Sequence, residues 1–151
     1  MADTRSRPGT DKPCRFCAIA AGKDKAFLVF RDAQFAAFLD YRPLALGHVL
    51  LVPVAHYRDL SDVPDAVMEG LAVRVKLLSA AVMEALAADG SFVALNNRVS
   101  QSVPHIHVHI VPRRKGDGLF AQRMIWKRVS YRDDAQREEI AARIRRAAKR
   151  D

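Results

Sequence analysis

The chain contains, at residues 101–110, the segment Gln101-Ser102-Val103-Pro104-His105-Ile106-His107-Val108-His109-Ile110. Three histidines in this segment alternate with apolar residues. Successive side chains of a β-strand point to opposite faces, so the pattern places the three imidazoles on one face and the apolar side chains on the other. We therefore predict a half-buried strand from His105 to Val111.

The spacing of the three histidines limits what they can bind together. Two residues of a strand span about 6.6 Å, so the Cα atoms of His105 and His109 would lie about 13 Å apart. That separation is too large for one shared metal ion with zinc–nitrogen bonds of about 2.0–2.1 Å. Neutral imidazole is a nucleophile and titrates near neutral pH, so the row of histidines favours nucleophilic and acid–base catalysis.

Hydrophobic patterns outside this segment predict the remaining elements. Apolar residues recur at three- and four-residue steps over residues 64–88, which predicts a long amphipathic helix with Asp62 as a start signal and Gly90 as a stop. A final helix is predicted from residue 133 or 134 to residue 149. The other predicted strands cover residues 27–30, 35–39, 47–53 and 91–95. Together these elements indicate an α+β fold with a mainly antiparallel sheet.

Length and composition favour a single soluble domain. The chain has 151 residues, half of them apolar, which is enough for one substantial core. It contains no run of eighteen apolar residues and no readable secretory signal, so we expect a cytoplasmic protein without a membrane span. We predict a disordered arm at residues 1–12 and one domain at residues 13–151, with a basic C-terminal extension from about residue 113.

The positive charge is concentrated in that C-terminal extension. Residues 113–151 contain 13 lysines and arginines against 6 acidic residues, whereas residues 1–112 contain 12 against 11. Such a segment suits a phosphate-rich partner, either a nucleotide or a nucleic acid, but a solvated helix face has the same composition. Phe120, Trp126 and Tyr131 could stack on bases or pack onto the sheet.

The histidine segment, with Asn96-Asn97 before it, resembles the signature of the histidine triad (HIT) superfamily, and in particular bacterial Hit and Hint proteins. Further matching features occur upstream in the same order: Cys14-x-x-Cys17, Phe38-Leu39-Asp40, Gly47-His48, Val52-Pro53 and His56. The resemblance covers about residues 13–118. It implies a five-stranded sheet, one long helix and a C-terminal helix, in a homodimer whose sheets continue across the interface.

The resemblance also implies a mechanism and a set of site residues. His107 would attack the α-phosphorus of a purine nucleotide, and water would then hydrolyse the nucleotidyl-histidine intermediate without a divalent metal ion. His109 and Ser102 would bind the phosphate and the leaving group, with His48 lining the same pocket. The residues implied to bind the nucleotide are Phe38, Asp40, Asn97 and Gln101. This two-step route divides one difficult displacement into two easier ones.

One loop departs from the family pattern. The family has a glycine-containing loop before the Gln-Ser pair, whereas residues 97–101 read Asn-Arg-Val-Ser-Gln, which is shorter and lacks glycine. We therefore expect fewer backbone contacts to phosphate, with Arg98 offering its guanidinium to a polyphosphate or another acidic leaving group. The asparagine before the loop favours nucleoside phosphoramidates or dinucleoside polyphosphates as substrates.

Cys14 and Cys17 are only three positions apart, which favours a redox or metal pair over a structural disulfide. The same spacing occurs in zinc knuckles. In some bacterial histidine triad proteins a similar pair joins the histidines that correspond here to His56 and His105. The resemblance therefore implies a structural zinc ion bound by these four residues, while two thiols that only fill space remain an alternative.

Three functions stay open at this point. The first is an enzyme that cleaves P–O or P–N bonds at a nucleoside α-phosphate. The second resembles aprataxin, which removes adenylate from DNA ends, and is motivated by the basic extension. The third is a non-catalytic regulator that binds a nucleotide in the pocket and contacts a partner through its basic helix.

Overall fold

The computed structural model describes residues 13–120 and 128–149. The strands are β1 (Leu28–Arg31), β2 (Phe35–Leu39), β3 (Val49–Pro53), β4 (Gly90–Ala94) and β5 (Val108–Arg113). The helices are α1 (Arg15–Ala20), α2 (Asp65–Leu86) and α3 (Asp134–Ala148). The strands form one antiparallel sheet in the order β1-β2-β3-β5-β4, which confirms the predicted α+β class. The predicted arm at residues 1–12 and Trp126 lie outside the described residues.

The centre of the sheet is covered on both faces. Every residue of β2 and β3 is buried, so these strands are continuous apolar runs rather than alternating ones. On one face Phe35, Leu39 and Leu51 pack with residues of α2 and α3. On the other face Phe38 and Leu50 pack with α1. The helix α1 was not predicted, because its six residues are too short to show a helical period.

The helix α2 confirms the predicted periodicity, but its ends differ from the predicted signals. It begins at Asp65, after Pro64, and Asp62 instead lies in a separate 3₁₀ turn at Leu60–Asp62. It ends at Leu86 with Ala87 in the left-handed region at φ 47°. Gly90 is not the stop signal, since it is already the first residue of β4. Among the described residues, no helix is long and apolar enough to cross a membrane.

The strand β5 begins three residues later than predicted, at Val108 rather than His105. The amide of Ile106 donates to the carbonyl of Tyr57 at 2.8 Å, outside the ladder between β3 and β5. Ile106 and the alternating residues Val108 and Ile110 are nevertheless buried, as the apolar pattern requires. Only the last of the three histidines therefore belongs to the sheet.

The turn before β3 depends on Gly47. Its φ is +91°, and a Cβ built there would lie 2.2 Å from Cδ1 of Leu86. We expect Gly47→Ala to lower the free energy of unfolding by about 2–4 kcal/mol, from left-handed strain and overpacking together. Gly116→Ala is a matched control, because Gly116 has φ +76° with nothing within 4 Å of a Cβ. Urea unfolding of both variants tests this, and equal losses would contradict the packing argument.

Candidate active site

His107 presents a free ring nitrogen to a cavity. Its Nδ1 lies 2.7 Å from the carbonyl oxygen of His105. A carbonyl can only accept, so Nδ1 carries the hydrogen and donates it. The other nitrogen, Nε2, therefore carries the lone pair of the neutral imidazole. The ring is buried and makes an edge-on contact with Phe16, at 5.1 Å between centroids, which fixes the direction of that lone pair.

A chain of hydrogen bonds fixes the tautomer of His109. The amide of Leu44 donates to Nδ1 of His48 at 3.1 Å, so His48 carries its hydrogen on Nε2. That Nε2 lies 2.9 Å from Nδ1 of His109 and donates to it. His109 must then carry its own hydrogen on Nε2, which is buried and has no hydrogen-bond partner in the described part of the chain. This orphaned donor is suited to an anionic oxygen of a ligand.

Burial keeps the histidines of this site neutral. It lowers the pKa of His107, and it holds the pKa of His48 well below its usual range. Burial, followed by the neighbouring charges of His107 and Arg128, lowers the pKa of His109 to about 4. At neutral pH the rings therefore hold the lone pairs that the hydrogen-bond pattern requires.

His107 and His109 line a cavity of about 760 Å³. Their rings are 5.0 Å apart between centroids, and Ser102 lines the same cavity. An apolar wall is formed by Phe16, Ile19, Phe38, Leu50 and Val103. A cavity of this volume, with one apolar wall and a few converging polar groups, is typical of a small-molecule site. Phe16 and Ile19 come from α1, and the prediction from sequence had missed both.

Asp40 lies in the same cavity and accepts hydrogen bonds from Arg42 and Arg128. Its Oδ1 accepts a hydrogen bond from the amide of Arg42 at 2.9 Å. Its Oδ2 lies 3.2 Å from Nη1 of Arg128 and 3.5 Å from Nδ1 of His48. The predicted ribose-binding carboxylate is therefore in contact with both the histidine chain and the C-terminal segment. No local pattern indicates this contact, because Arg128 is 88 residues away from Asp40 along the chain.

The loop at residues 97–101 turns its polar side chains away from His107. Asn97 Oδ1 accepts from the amide of Leu60 at 2.9 Å, and Gln101 Nε2 donates to the carbonyl of Arg58 at 2.6 Å. Arg98 forms an ion pair with Asp59 at 2.7 Å. Arg98 and Gln101 line a second cavity and not the one that contains His107. These three side chains bind the neighbouring segment at residues 58–60. Their contacts with phosphate stay predictions.

The missing glycines of that loop have a visible conformational cost. Arg98 and Ser100 adopt positive φ values of 69° and 59°. Non-glycine residues rarely occupy this region, and such strain occurs preferentially at functional sites. The loop therefore keeps a glycine-like backbone path without glycine.

Four predicted metal ligands converge beside the cavity. Cys14, Cys17, His56 and His105 each offer one ligand atom, and these atoms lie within 4.8 Å of one another. The Sγ atoms of Cys14 and Cys17 lie 3.5 Å from Nδ1 of His105, and Cys17 Sγ lies 3.3 Å from Nδ1 of His56. In a tetrahedral zinc site with ordinary bond lengths, a sulfur and a nitrogen are about 3.5 Å apart. The donor set and its spacing therefore fit zinc.

The surroundings of the four ligands agree with that fit. His105 donates from Nε2 to the carbonyl of Pro53 at 2.9 Å, which leaves Nδ1 free to face the sulfur atoms. Burial, with the adjacent Cys14, raises the pKa of Cys17 to about 11. A bound divalent cation would reverse this effect, since coordination deprotonates a thiol.

These features define a class of protein: an α+β domain with a histidine triad at a small-molecule pocket. Residues 21–116 match the HIT domain, and the chain belongs to the HIT family. It is 36% identical to a zinc-bound histidine triad family protein of known structure from Mycobacterium smegmatis. That match covers 89% of this chain and 92% of the other, with a TM-score of 0.76.

Two curated relatives have names that describe an activity. An adenylylsulfatase from Arabidopsis thaliana is 31% identical over 135 residues, which cover 88% of this chain and 68% of that protein. An adenosine 5′-monophosphoramidase from Saccharomyces cerevisiae is 34% identical over 112 residues, which cover 72% of this chain and 68% of that protein. The names of these two relatives therefore describe enzymes that hydrolyse nucleotides.

Proposed function

We propose that this protein hydrolyses adenosine nucleotides at the α-phosphate through a nucleotidyl intermediate on His107. The observation that carries the proposal is the pair of fixed tautomers. A lone pair on His107 and an N–H donor on His109 meet in one cavity, at adjacent rings. A nucleophile next to a preorganised donor is the arrangement that displacement at phosphorus requires.

The proposed first step forms a bond between Nε2 of His107 and the α-phosphorus. The bond from phosphorus to the leaving group breaks, and the leaving group keeps the electron pair. The positive charge that develops on the ring is stabilised by the carbonyl of His105, which accepts the Nδ1 hydrogen. His109 and Ser102 donate to oxygen atoms of the phosphate and of the leaving group.

In the proposed second step water attacks the phosphorus and loses a proton to solvent. The P–N bond breaks, its electrons return to Nε2 of His107, and AMP is released. A phosphate or sulfate leaving group needs no proton, whereas an amine takes one from solvent. The protein's own residues therefore supply the nucleophile and the fixed donors for both steps.

The adenosine preference rests on the relatives and on the cavity. The two names both describe enzymes that act at an adenosine 5′-phosphoryl group. The apolar wall offered by Phe16, Ile19 and Leu50 can hold a purine ring. Asp40 lies at the edge of the same cavity, where it can accept hydrogen bonds from ribose hydroxyl groups.

The basic C-terminal extension gives less support to a nucleic-acid substrate than its composition suggests. Arg132 and Arg137 form ion pairs with Asp133 and Asp134 at 3.1 and 2.6 Å. Arg114 donates to two carbonyl groups at the C-terminal end of α2, where a positive charge is favourable. These three arginines are therefore already partnered within the chain.

The substrate class can be tested directly. Purified protein is incubated with adenosine 5′-phosphoramidate, adenylyl sulfate, diadenosine tetraphosphate and adenylated nicked DNA, and AMP release is followed. We expect AMP from at least one of the three small substrates. Release from the DNA alone would support the aprataxin-like alternative. No release from any of them, with AMP still bound, would support the nucleotide-binding regulator.

We also propose that Cys14, Cys17, His56 and His105 bind one structural zinc ion. The proposal is supported by the convergence of these four residues and by the zinc-bound relative from Mycobacterium smegmatis. The ion would link the start of α1 to the segments that follow β3 and precede β5. It would leave His107 and His109 free for the reaction.

A further inference from the structure

The C-terminal segment is attached to the loop that carries Asp40. The amide of Val129 donates to the carbonyl of Pro43 at 2.9 Å, and the amide of Gly47 donates to the hydroxyl of Tyr131 at 3.1 Å. The guanidinium of Arg128 donates to the carbonyl of Arg42. Residues 128–131 follow the part of the chain that matches the HIT domain, which ends at residue 116. Arg128, which lines the cavity, therefore comes from outside the matched region.

Arg128 lies beside the carboxylate of Asp40. Asp40 Oδ1 accepts the amide of Arg42, and Oδ2 lies 3.2 Å from Arg128 Nη1. Each carboxylate oxygen has a second lone pair, so a ribose hydroxyl can still donate to Asp40. Two donors that share one acceptor oxygen stand about 4–5 Å apart. A ribose hydroxyl bound to Oδ2 would therefore lie against the guanidinium of Arg128.

The guanidinium has donors left for such a ligand. Of its five N–H groups, only those on Nη1 form hydrogen bonds with residues that the structure describes. The side chain is 44% exposed and lines the cavity, so its remaining donors are accessible from the same space. His107 and His109 line the same cavity as Arg128, and the charge of Arg128 contributes, after burial and the charge of His107, to the lowered pKa of His109.

We propose that Arg128 is a ribose-binding residue, which acts together with Asp40. Asp40 accepts a hydrogen bond from one hydroxyl of the ribose cis-diol, while Arg128 donates to the oxygen of the neighbouring hydroxyl. The pocket thereby selects ribonucleotides over nucleotides that lack the diol. The inference rests on the proposed function, since it assumes an adenosine nucleotide in this cavity.

The test compares two ligands that differ only in the diol. Dissociation constants for AMP and 2′,3′-dideoxy-AMP are measured by calorimetry for the wild-type protein, Arg128→Met and Arg132→Met. We expect Arg128→Met to weaken AMP binding about tenfold, the effect of a hydrogen bond from a charged donor, and to leave dideoxy-AMP binding unchanged. Arg132→Met is the matched control, because Arg132 is exposed, pairs with Asp133 and does not line the cavity.

The outcomes separate this inference from the proposed function. Equal weakening of both ligands in Arg128→Met would show that Arg128 only supports the fold of the pocket, and unchanged binding of both would show that it does not contact the ribose. Either result overturns the inference while wild-type AMP release stands. A wild-type protein that neither binds AMP nor releases it from the small substrates would instead overturn the proposed function. Thermal unfolding of the variants checks that the fold is intact.

Discussion

Replacing His107 by alanine is expected to lower kcat for AMP release by about 10⁴-fold or more, the scale of losing a nucleophile. In the described structure, Nε2 of His107 is the only ring nitrogen that presents a lone pair to the cavity, and the substitution removes it. His109 presents an N–H group to the cavity instead. AMP binding should change far less, since the apolar wall and Asp40 remain. The measurement is single-turnover AMP release from the substrate that the wild-type protein cleaves best.

A labelled substrate distinguishes a covalent route from direct attack by water. With a ³²P label at the α-phosphate, quenching in an alkaline denaturant, which preserves the acid-labile P–N bond, should trap the label on the wild-type protein and not on His107→Ala. His107→Asn serves as a second variant, because it keeps a polar side chain against Phe16 and fills more of the space. If either folded variant kept activity within tenfold of the wild type, water would be attacking directly and His107 would not be the nucleophile.

The sequence predicted best those elements whose hydrophobic pattern is long or unbroken. Over α2 the apolar residues Leu71, Leu78 and Val82 recur often enough for helical spacing to identify the buried face. The strands β2 and β3 were predicted for a related reason, since both are unbroken apolar runs at the centre of the sheet. Local pattern and tertiary packing agree in these elements.

The features that the sequence did not predict depend on contacts between distant segments. The helix α1 is short, and it is positioned by packing against β2 and β3 rather than by its own propensity. The start of β5 was predicted too early because alternation shows which side chains are buried, and does not show that Ile106 pairs with Tyr57 instead of the sheet. Arg128 and Asp40 form an ion pair although they are 88 residues apart along the chain, and no local pattern indicates such a pair.

The same distinction applies to the candidate site. The alternation of His105, His107 and His109 indicated catalysis, but it could not assign the rings their separate tasks. Those tasks follow from partners outside the segment: Pro53 and the cysteines for His105, and His48 for His109. Spacing alone argued against one metal ion shared by the three. In the structure His105 lies with both cysteines, whereas His109 lies with Asp40 and His48.

Removal of zinc is expected to lower the melting temperature by about 10 °C or more, because the ion would join the start of α1 to two segments that are distant along the chain. We expect one zinc per chain after dialysis, measured by native mass spectrometry, and its loss with a strong chelator. Adding zinc back should restore the melting temperature of the wild-type protein. It should not restore that of Cys17→Ser, which is the matched control because it lacks one ligand.

Removal of zinc should affect the activity mainly by raising KM. The cysteines lie at the start of α1, and α1 supplies Phe16 and Ile19 to the apolar wall of the cavity. Loss of the ion would loosen this wall and weaken substrate binding, whereas the tautomers of His48 and His109 are fixed by Leu44 from the other side. A metal-free protein with an unchanged melting temperature and KM would contradict the zinc proposal. An unchanged KM with a lowered melting temperature would mean that β2 and β3 hold α1 in place without the ion.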